Sequence, residues 1–415
     1  MSTLASGSWL TPDRIRRVAG ICGAGSLALL LWLALTSHGT LDWLGRPLGT
    51  DFSDVWAAGK MALDGHAADV WTWSKHFAVQ RAVHGPNLTE FYAWHYPPPF
   101  LLVASALALL PYVPALIAWQ LVTFIPFASI MQRLVPGRET LLLTLAAPLT
   151  LFCITQGQNG FLTASLMGGG LMLLDRRPVI AGLLFGCLVY KPQFGAIIPV
   201  MLLAGRHWRA IAGALVSAGV LIALTLGLWG WPVWQAFIDS LSITRSLIIE
   251  HGAAGFYKIV SPFAAVRLWG GSIAISYAVQ AAFTVVALAA VFTMSLPERS
   301  ATLRNVTVCA AAVVATPYVL DYDLVLLLPA LGWLYAEGRR HGFRSWEGTV
   351  MAGVWIAPLF GRAVAQLLYV PLDLIAAVAV GSLALRRALG SYSVSVSDVH
   401  PGRQEQVRQP QHDTD

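Results

Sequence analysis

Four stretches of this chain, 91–132, 140–174, 210–238 and 268–296, contain no Lys, Arg, Asp or Glu. Each is longer than the roughly 20 apolar residues a helix needs to span the hydrocarbon core of a bilayer. Backbone amides in that medium must bond to one another, so such runs are expected to be helices. Composition agrees: 12% of the 415 residues are charged and mean hydropathy is +0.64, against about 25% charged in a soluble domain. A disordered chain, a collagen-like chain and an ordinary water-soluble enzyme are excluded. What remains is an all-α polytopic membrane protein.

The pattern divides into apolar segments at 18–36, 97–112, 114–132, 140–155, 160–174, 178–190, 192–205, 209–230, 272–294, 305–320, 323–337, 347–361 and 364–385. Several are too short to cross squarely, so the expectation is about 10–12 transmembrane helices plus re-entrant or short segments. Arg14, Arg16 and Arg17 precede the first segment and put residues 1–17 in the cytoplasm. Arg176 and Arg177, Arg206 and Arg209, Arg339 and Arg340 with Arg344, and Arg386 and Arg387 mark further cytoplasmic turns. Thr36-Ser37-His38 is a poor cleavage site, so the first segment reads as an uncleaved helix. With both ends inside, crossings must be even in number, which requires that between 97 and 174 one segment is re-entrant or two are fused. A single membrane domain over 18–390 follows, with outer loops at 37–96 and 231–271. The polar tail 391–415 reads as a disordered cytoplasmic end.

The net charge of +6 is accounted for by the cytoplasmic turns, and no basic stripe with interleaved aromatics suggests nucleic acid. Cys22, Cys153, Cys187 and Cys309 lie inside apolar segments at unrelated spacings, indicating neither a disulfide framework nor a metal site. No cofactor is expected.

The informative residues are the polar ones the topology does not use. In loop 37–96, residues 53–63 read as a helix closed by Gly65, and Val70, Trp73 and Phe77 give a second stretch an apolar stripe; both fit amphipathic helices at the bilayer surface. Asp51 and Asp54 stand at the mouth of the first helix. Asp51 reads either as a helix cap or as a general base within reach of an acceptor hydroxyl. His66, His76, His84 and His95 are too irregularly spaced for a metal site. Tyr96-Pro97-Pro98-Pro99 runs into the next segment, where proline suits a first helical turn.

Lys191, followed by Pro192, stands between thirteen and fourteen uncharged residues. An ammonium there either faces a cavity and binds an anion or snorkels to an interface. Gln156-Gly157-Gln158-Asn159-Gly160 interrupts another apolar pair, as a polar turn or as part of the same cavity. Asp321 and Asp323 interrupt a third and call for a polar cavity or a cationic partner. Arg245, His251, Lys258 and Arg267 of loop 231–271 supply cations. Together they describe an outward-facing cavity suited to a substrate with a lipid tail, a phosphate and a polar head.

The order of motifs over roughly 45–335 resembles glycosyltransferase family 87, the polyprenyl-phosphate-mannose-dependent mannosyltransferases of the GT-C superfamily. The matching residues are Gly49-Thr50-Asp51-Phe52, Trp56-Ala57-Ala58-Gly59, Asp64-Gly65, Tyr96-Pro97-Pro98, Gly157-Gln158-Asn159-Gly160 and Arg176-Arg177. Ala181-Gly182, Lys191-Pro192, Arg206-His207-Trp208-Arg209 and Thr316-Pro317-Tyr318 complete them. The resemblance implies a GT-C-type fold in a membrane, expected to be a bacterial inner (plasma) membrane with the site facing the periplasm or exterior. It implies a polyprenyl-phosphate sugar donor, a lipid or glycan acceptor, and an inverting displacement with Asp51, or else Asp54, as base. It implies that Lys191, with outer-loop Arg245, His251 and Lys258, handles the carrier phosphate, and that Tyr96, Gln158 and Asn159 line the substrate site, where Asp321 and Asp323 are placed by the cavity reading of the residues themselves. Where relatives carry histidines after the late proline motif, this chain has Leu320-Asp321-Tyr322-Asp323. A flippase or transporter of lipid-linked sugars is the alternative. It is disfavoured because only one broken helix, at Lys191-Pro192, is evident where transporters often pair such breaks.

Overall fold

The computed structural model describes residues 2–88 and 90–397. Among them helix is the regular structure, with isolated β-bridges besides. Four helices are long and apolar enough to cross a membrane: Pro12–Leu35, Tyr112–Leu134, Trp208–Trp229 and Ile273–Met294. Two helix pairs qualify if each is one bent span: Arg138–Leu145 with Pro148–Gln156, bent by 52°, and Glu347–Ile356 with Pro358–Leu368, bent by 76°. Gly160–Leu173, Pro178–Tyr190, Pro192–Ala204 and Ala301–Val314 are shorter apolar helices. The chain is therefore an integral membrane protein. A count of ten to twelve crossings is reached only if the shorter helices cross as well.

Apolar side chains that would be costly in water cover the long helices: Leu215, Val216 and Val220 on one, Val285 and Val286 on another, are exposed. Hydrocarbon is the solvent that suits them. Helix contacts rely instead on small residues, which let backbones approach where lipid gives no hydrophobic drive. Gly182 lies against Ala210, and Gly186 against Ala214, where Pro178–Gly186 packs on Trp208–Trp229.

The region 97–174 departs from even segmentation in two places. Segment 97–112 shrinks to Pro99–Leu107, about 14 Å long at 1.5 Å per residue and too short to cross. Segment 140–155 is the 52° bent pair, broken where Pro148 opens its second helix. At the other end of the chain, segment 347–361 breaks at Pro358, so Arg362 falls inside a helix and not between two. Two paired breaks thus exist, and their supposed absence gives no argument against a transporter.

Loop 37–96 holds two helices near the expected positions, Phe52–Leu63 and Trp73–His84, joined through a 3-10 turn at Ala67–Trp71 that carries Val70, but the first is packed inside the protein and is not the surface helix expected. Gly65, at φ 85°, follows the first and adopts the left-handed backbone that stops it. That helix is buried on most sides, because Gly59 lets it sit directly on the backbone of Ala104. Of the four cysteines, all free, Cys153 and Cys309 are buried while Cys22 and Cys187 are half-buried. The last helix, Leu372–Ser397, runs into the expected tail, whose remainder lies outside the described residues.

Candidate active site

Two glycines explain how the polar island 156–160 builds a site. Gly157 ends the helix Pro148–Gln156 at φ 62°. A Cβ there would stand 2.5 Å from the Phe52 Cβ and 2.7 Å from the Gly49 carbonyl oxygen, so only glycine lets the 49–52 turn come this close. Gly160, at the start of the next helix, admits the Tyr322 carbonyl oxygen in the same way, at 2.8 Å. One glycine brings in the turn carrying Asp51 and the other the 3-10 turn Asp321–Leu326. Gln158 and Asn159, both buried, lie between: Gln158 bonds Asp51 directly, and Asn159 reaches Asp323 through the shared Lys191 ammonium.

Asp51 occupies the N-cap position of Phe52–Leu63 but makes no capping hydrogen bond. Its Oδ2 instead accepts from Gln158 Nε2 at 2.7 Å, and the Tyr96 hydroxyl donates to Gln158 Oε1 at 3.0 Å, fixing the amide's orientation. The capping reading is thereby set aside. Burial pushes the Asp51 carboxyl up to about 6, and the Asp321 charge adds to the rise. The Gln158 bond and the charges of Arg362 and Lys258 oppose it. A half-buried carboxylate titrating near 6 accepts a proton readily at neutral pH.

Asp54 differs. It is 5% exposed and its Oδ1 has no hydrogen-bond partner among the described residues. Burial, then the Asp51 charge, holds it well above the usual carboxylate range. Three histidines of the loop, His76, His84 and His95, are neutral at pH 7, because burial pushes each down to about 4. They serve as hydrogen-bonding struts, His84 between Ser53 Oγ and Thr40 Oγ1, and His95 against Thr244 Oγ1. No three His, Cys, Asp or Glu residues among those described group as metal ligands.

Two ion pairs hang from the 3-10 turn. Lys191 lies at a non-helical residue just before Pro192, where the chain breaks between helices. Its Nζ donates to Asp323 Oδ1 at 2.5 Å and to Asn159 Oδ1 at 2.8 Å, between the rings of Phe194 and Tyr322. Both members of the pair are 3% exposed, so Lys191 does not snorkel. Asp321, also buried, is held by Arg362, which the sequence reading passed over; Nε and Nη2 engage its two oxygens, and Nη2 also donates to Gln156 Oε1 at 3.2 Å. The acids find their cations on the membrane helices and not on loop 231–271. From Gly348 through Leu372, Arg362 is the sole Lys, Arg, Asp or Glu, four residues past Pro358, and that isolation was the available signal.

Loop 231–271 reaches the site through Lys258. The Val260 N–H bonds the Val319 carbonyl at 2.8 Å, and Ile259 bridges Leu320. This brings Lys258 within electrostatic range of Asp51. Arg245 and His251 bond locally instead, to Glu250 at 2.8 Å and to the Ser246 carbonyl at 2.7 Å, and no described bond ties them to the cluster. The two bent helix pairs meet at the site, at the Arg362–Gln156 bond.

Fold and site together define an integral membrane protein with a carboxylate flanked by cations at the junction of two broken helices. The family model for glycosyltransferase family 87 matches residues 94–317, more than half of the chain. The chain belongs to that family and is a membrane glycosyltransferase. No curated protein and no solved structure matches it. The matched segment contains Tyr96, Gln158, Asn159, Lys191 and Lys258, whereas Asp51, Asp321, Asp323 and Arg362 lie outside it.

Proposed function

We propose that the protein transfers a sugar, mannose by family resemblance, from a polyprenyl-phosphate donor to a lipid or glycan acceptor of the cell envelope. The reaction would take place at the periplasmic or exterior face of a bacterial inner membrane. The observation that carries this reading is the state of Asp51: uncapped, half-buried, oriented by Gln158 and raised to about 6. Asp51 takes the proton of an acceptor hydroxyl as that oxygen attacks the anomeric carbon from the face opposite the phosphate. The bond from the anomeric carbon to the phosphate oxygen breaks, its electron pair leaves with the polyprenyl phosphate, and configuration inverts. Phosphate is a good leaving group, so one carboxylate suffices.

Asp54 fits the role less well, being sealed and harder to ionise. Lys258, whose charge is felt at Asp51, would supply a cation to the developing phosphate charge, and such positioned cations commonly supply a large share of catalysis. Lys191 has two of its three N–H donors on Asp323 and Asn159. That supports a positioning role, fixing Asn159 and through it Gln158.

The test is purified protein in liposomes, supplied with radiolabelled polyprenyl-phosphate sugars and envelope lipid extract. A new labelled glycolipid or glycan supports the reading. Redistribution of unchanged donor across the bilayer, with no new product, would favour the flippase.

A further inference from the structure

We infer that Arg362 binds the phosphate of the prenyl-linked donor through its Nη1 edge, with Asp321 as the positioning residue that aims it. This deepens the proposed function and rests on it. A guanidinium carries five N–H donors in a planar fork. Asp321 takes Nε and one Nη2 hydrogen, and Gln156 takes the other. Nη1 donates no hydrogen bond among the described residues, yet it is not among the buried side-chain atoms left without a partner. The side chain is 35% exposed, so the unused edge is open to a ligand.

The open edge is also rigid. Asp321 is 1% exposed, and its Oδ1 accepts the Tyr322 N–H at 2.9 Å as well as the arginine, so the carboxylate cannot turn away. The guanidinium lies over the Phe152 ring, 5.7 Å from its centroid. An arginine so held presents the two diverging N–H donors of Nη1 in a fixed direction, whereas a lysine would lack the fork by which Asp321 and Gln156 anchor it. Gln156, which Arg362 contacts, and Gln158, which contacts Asp51, belong to one motif, and the Arg362 charge is felt at Asp51. An isolated arginine within an apolar bent helix is otherwise expensive, and such residues mark ligand pathways.

The experiment uses the full chain in nanodiscs, with geranylgeranyl monophosphate and geranylgeraniol as probes and tryptophan fluorescence as readout. It needs no turnover, so it separates this inference from the transferase reading: lost transfer with intact Arg362-dependent binding would sink only the latter. Arg362→Gln is expected to weaken the phosphate probe by roughly 10- to 100-fold, the worth of hydrogen bonds to a charged group, and to leave the alcohol unchanged. Arg362→Lys, which keeps the charge but loses the fork, should rescue little. Arg362→Gln with Asp321→Asn removes both charges and guards against misfolding. In the unmodified chain, the phosphate probe should protect Arg362 from phenylglyoxal, read by mass spectrometry. Wild-type affinity in folded Arg362→Gln, absent protection, or equal protection by inorganic phosphate would each overturn the assignment.

Discussion

Asp321 and Asp323 stand two residues apart on one 3-10 turn, and each holds a cation from a distant helix. Lys191 and Asp323 are sealed together, 3% exposed on each side, with the ammonium shared by Asn159 and capped by two aromatic rings. Arg362 and Asp321 form a lopsided pair, the carboxylate 1% exposed and the guanidinium 35%. A sealed pair has already spent its charge on its partner. It contributes a fixed geometry, and breaking it strands an ion in a poor solvent. A half-open pair keeps one edge anchored and one edge for a ligand. Burial of the cation, more than its mere presence near the site, separates a strut from a binding group.

That contrast breaks down if both pairs respond alike to mutation. The largest effect is expected for Lys191→Met, which leaves Asp323 buried and unpaired and should cost about 3–5 kcal/mol of stability. Thermal unfolding in detergent reads this, and Lys191→Met combined with Asp323→Leu should recover most of the loss. If the single variant unfolds at the wild-type temperature, Lys191 is no strut.

Next in size, Asp321→Asn should raise the donor KM by about tenfold with a smaller change in kcat, the cost of one misdirected charged hydrogen bond. Because Asp321 acts through Arg362, its effect should not add to that of Arg362→Gln. Additive losses would mean that Asp321 meets the substrate itself.

The smallest effect sharpens the third contact. Tyr96→Phe removes the hydroxyl that fixes Gln158 beneath Asp51 and should lower kcat by roughly two- to tenfold, one hydrogen bond's worth. An unchanged kcat would show that Gln158 needs no such brace.

Much of this was legible in the sequence because apolar segments make polar residues conspicuous. Gln158, Asn159, Lys191, Asp321 and Asp323 stand out as interruptions and Asp51 as a carboxylate at the mouth of a loop helix, and the structure gathers them around the two glycines of one motif. Their partners were not legible. The Lys191–Asp323 contact joins residues 132 apart, and nothing local encodes it. Arg362 was hidden by segmentation: an apolar run continued through Pro358 left it as a boundary charge, whereas the proline opens a new helix and carries it inside. Loop 231–271 misled for the opposite reason. Its cations are conspicuous, but Arg245 and His251 are bonded within their own loop and only Lys258 is drawn in by the Val260–Val319 bond.

The central claim is that Asp51 is the base, and the pH dependence of kcat/KM tests it most directly. Burial raises the Asp51 pKa to about 6, so the base is ionised above that pH and protonated below it. The account predicts that activity falls about tenfold per pH unit below 6, and that Asp51→Asn abolishes this limb while lowering turnover by about 10²- to 10⁴-fold with donor binding retained. A wild-type profile flat through pH 6, or an Asp51→Asn variant that keeps both the limb and the rate, would contradict it.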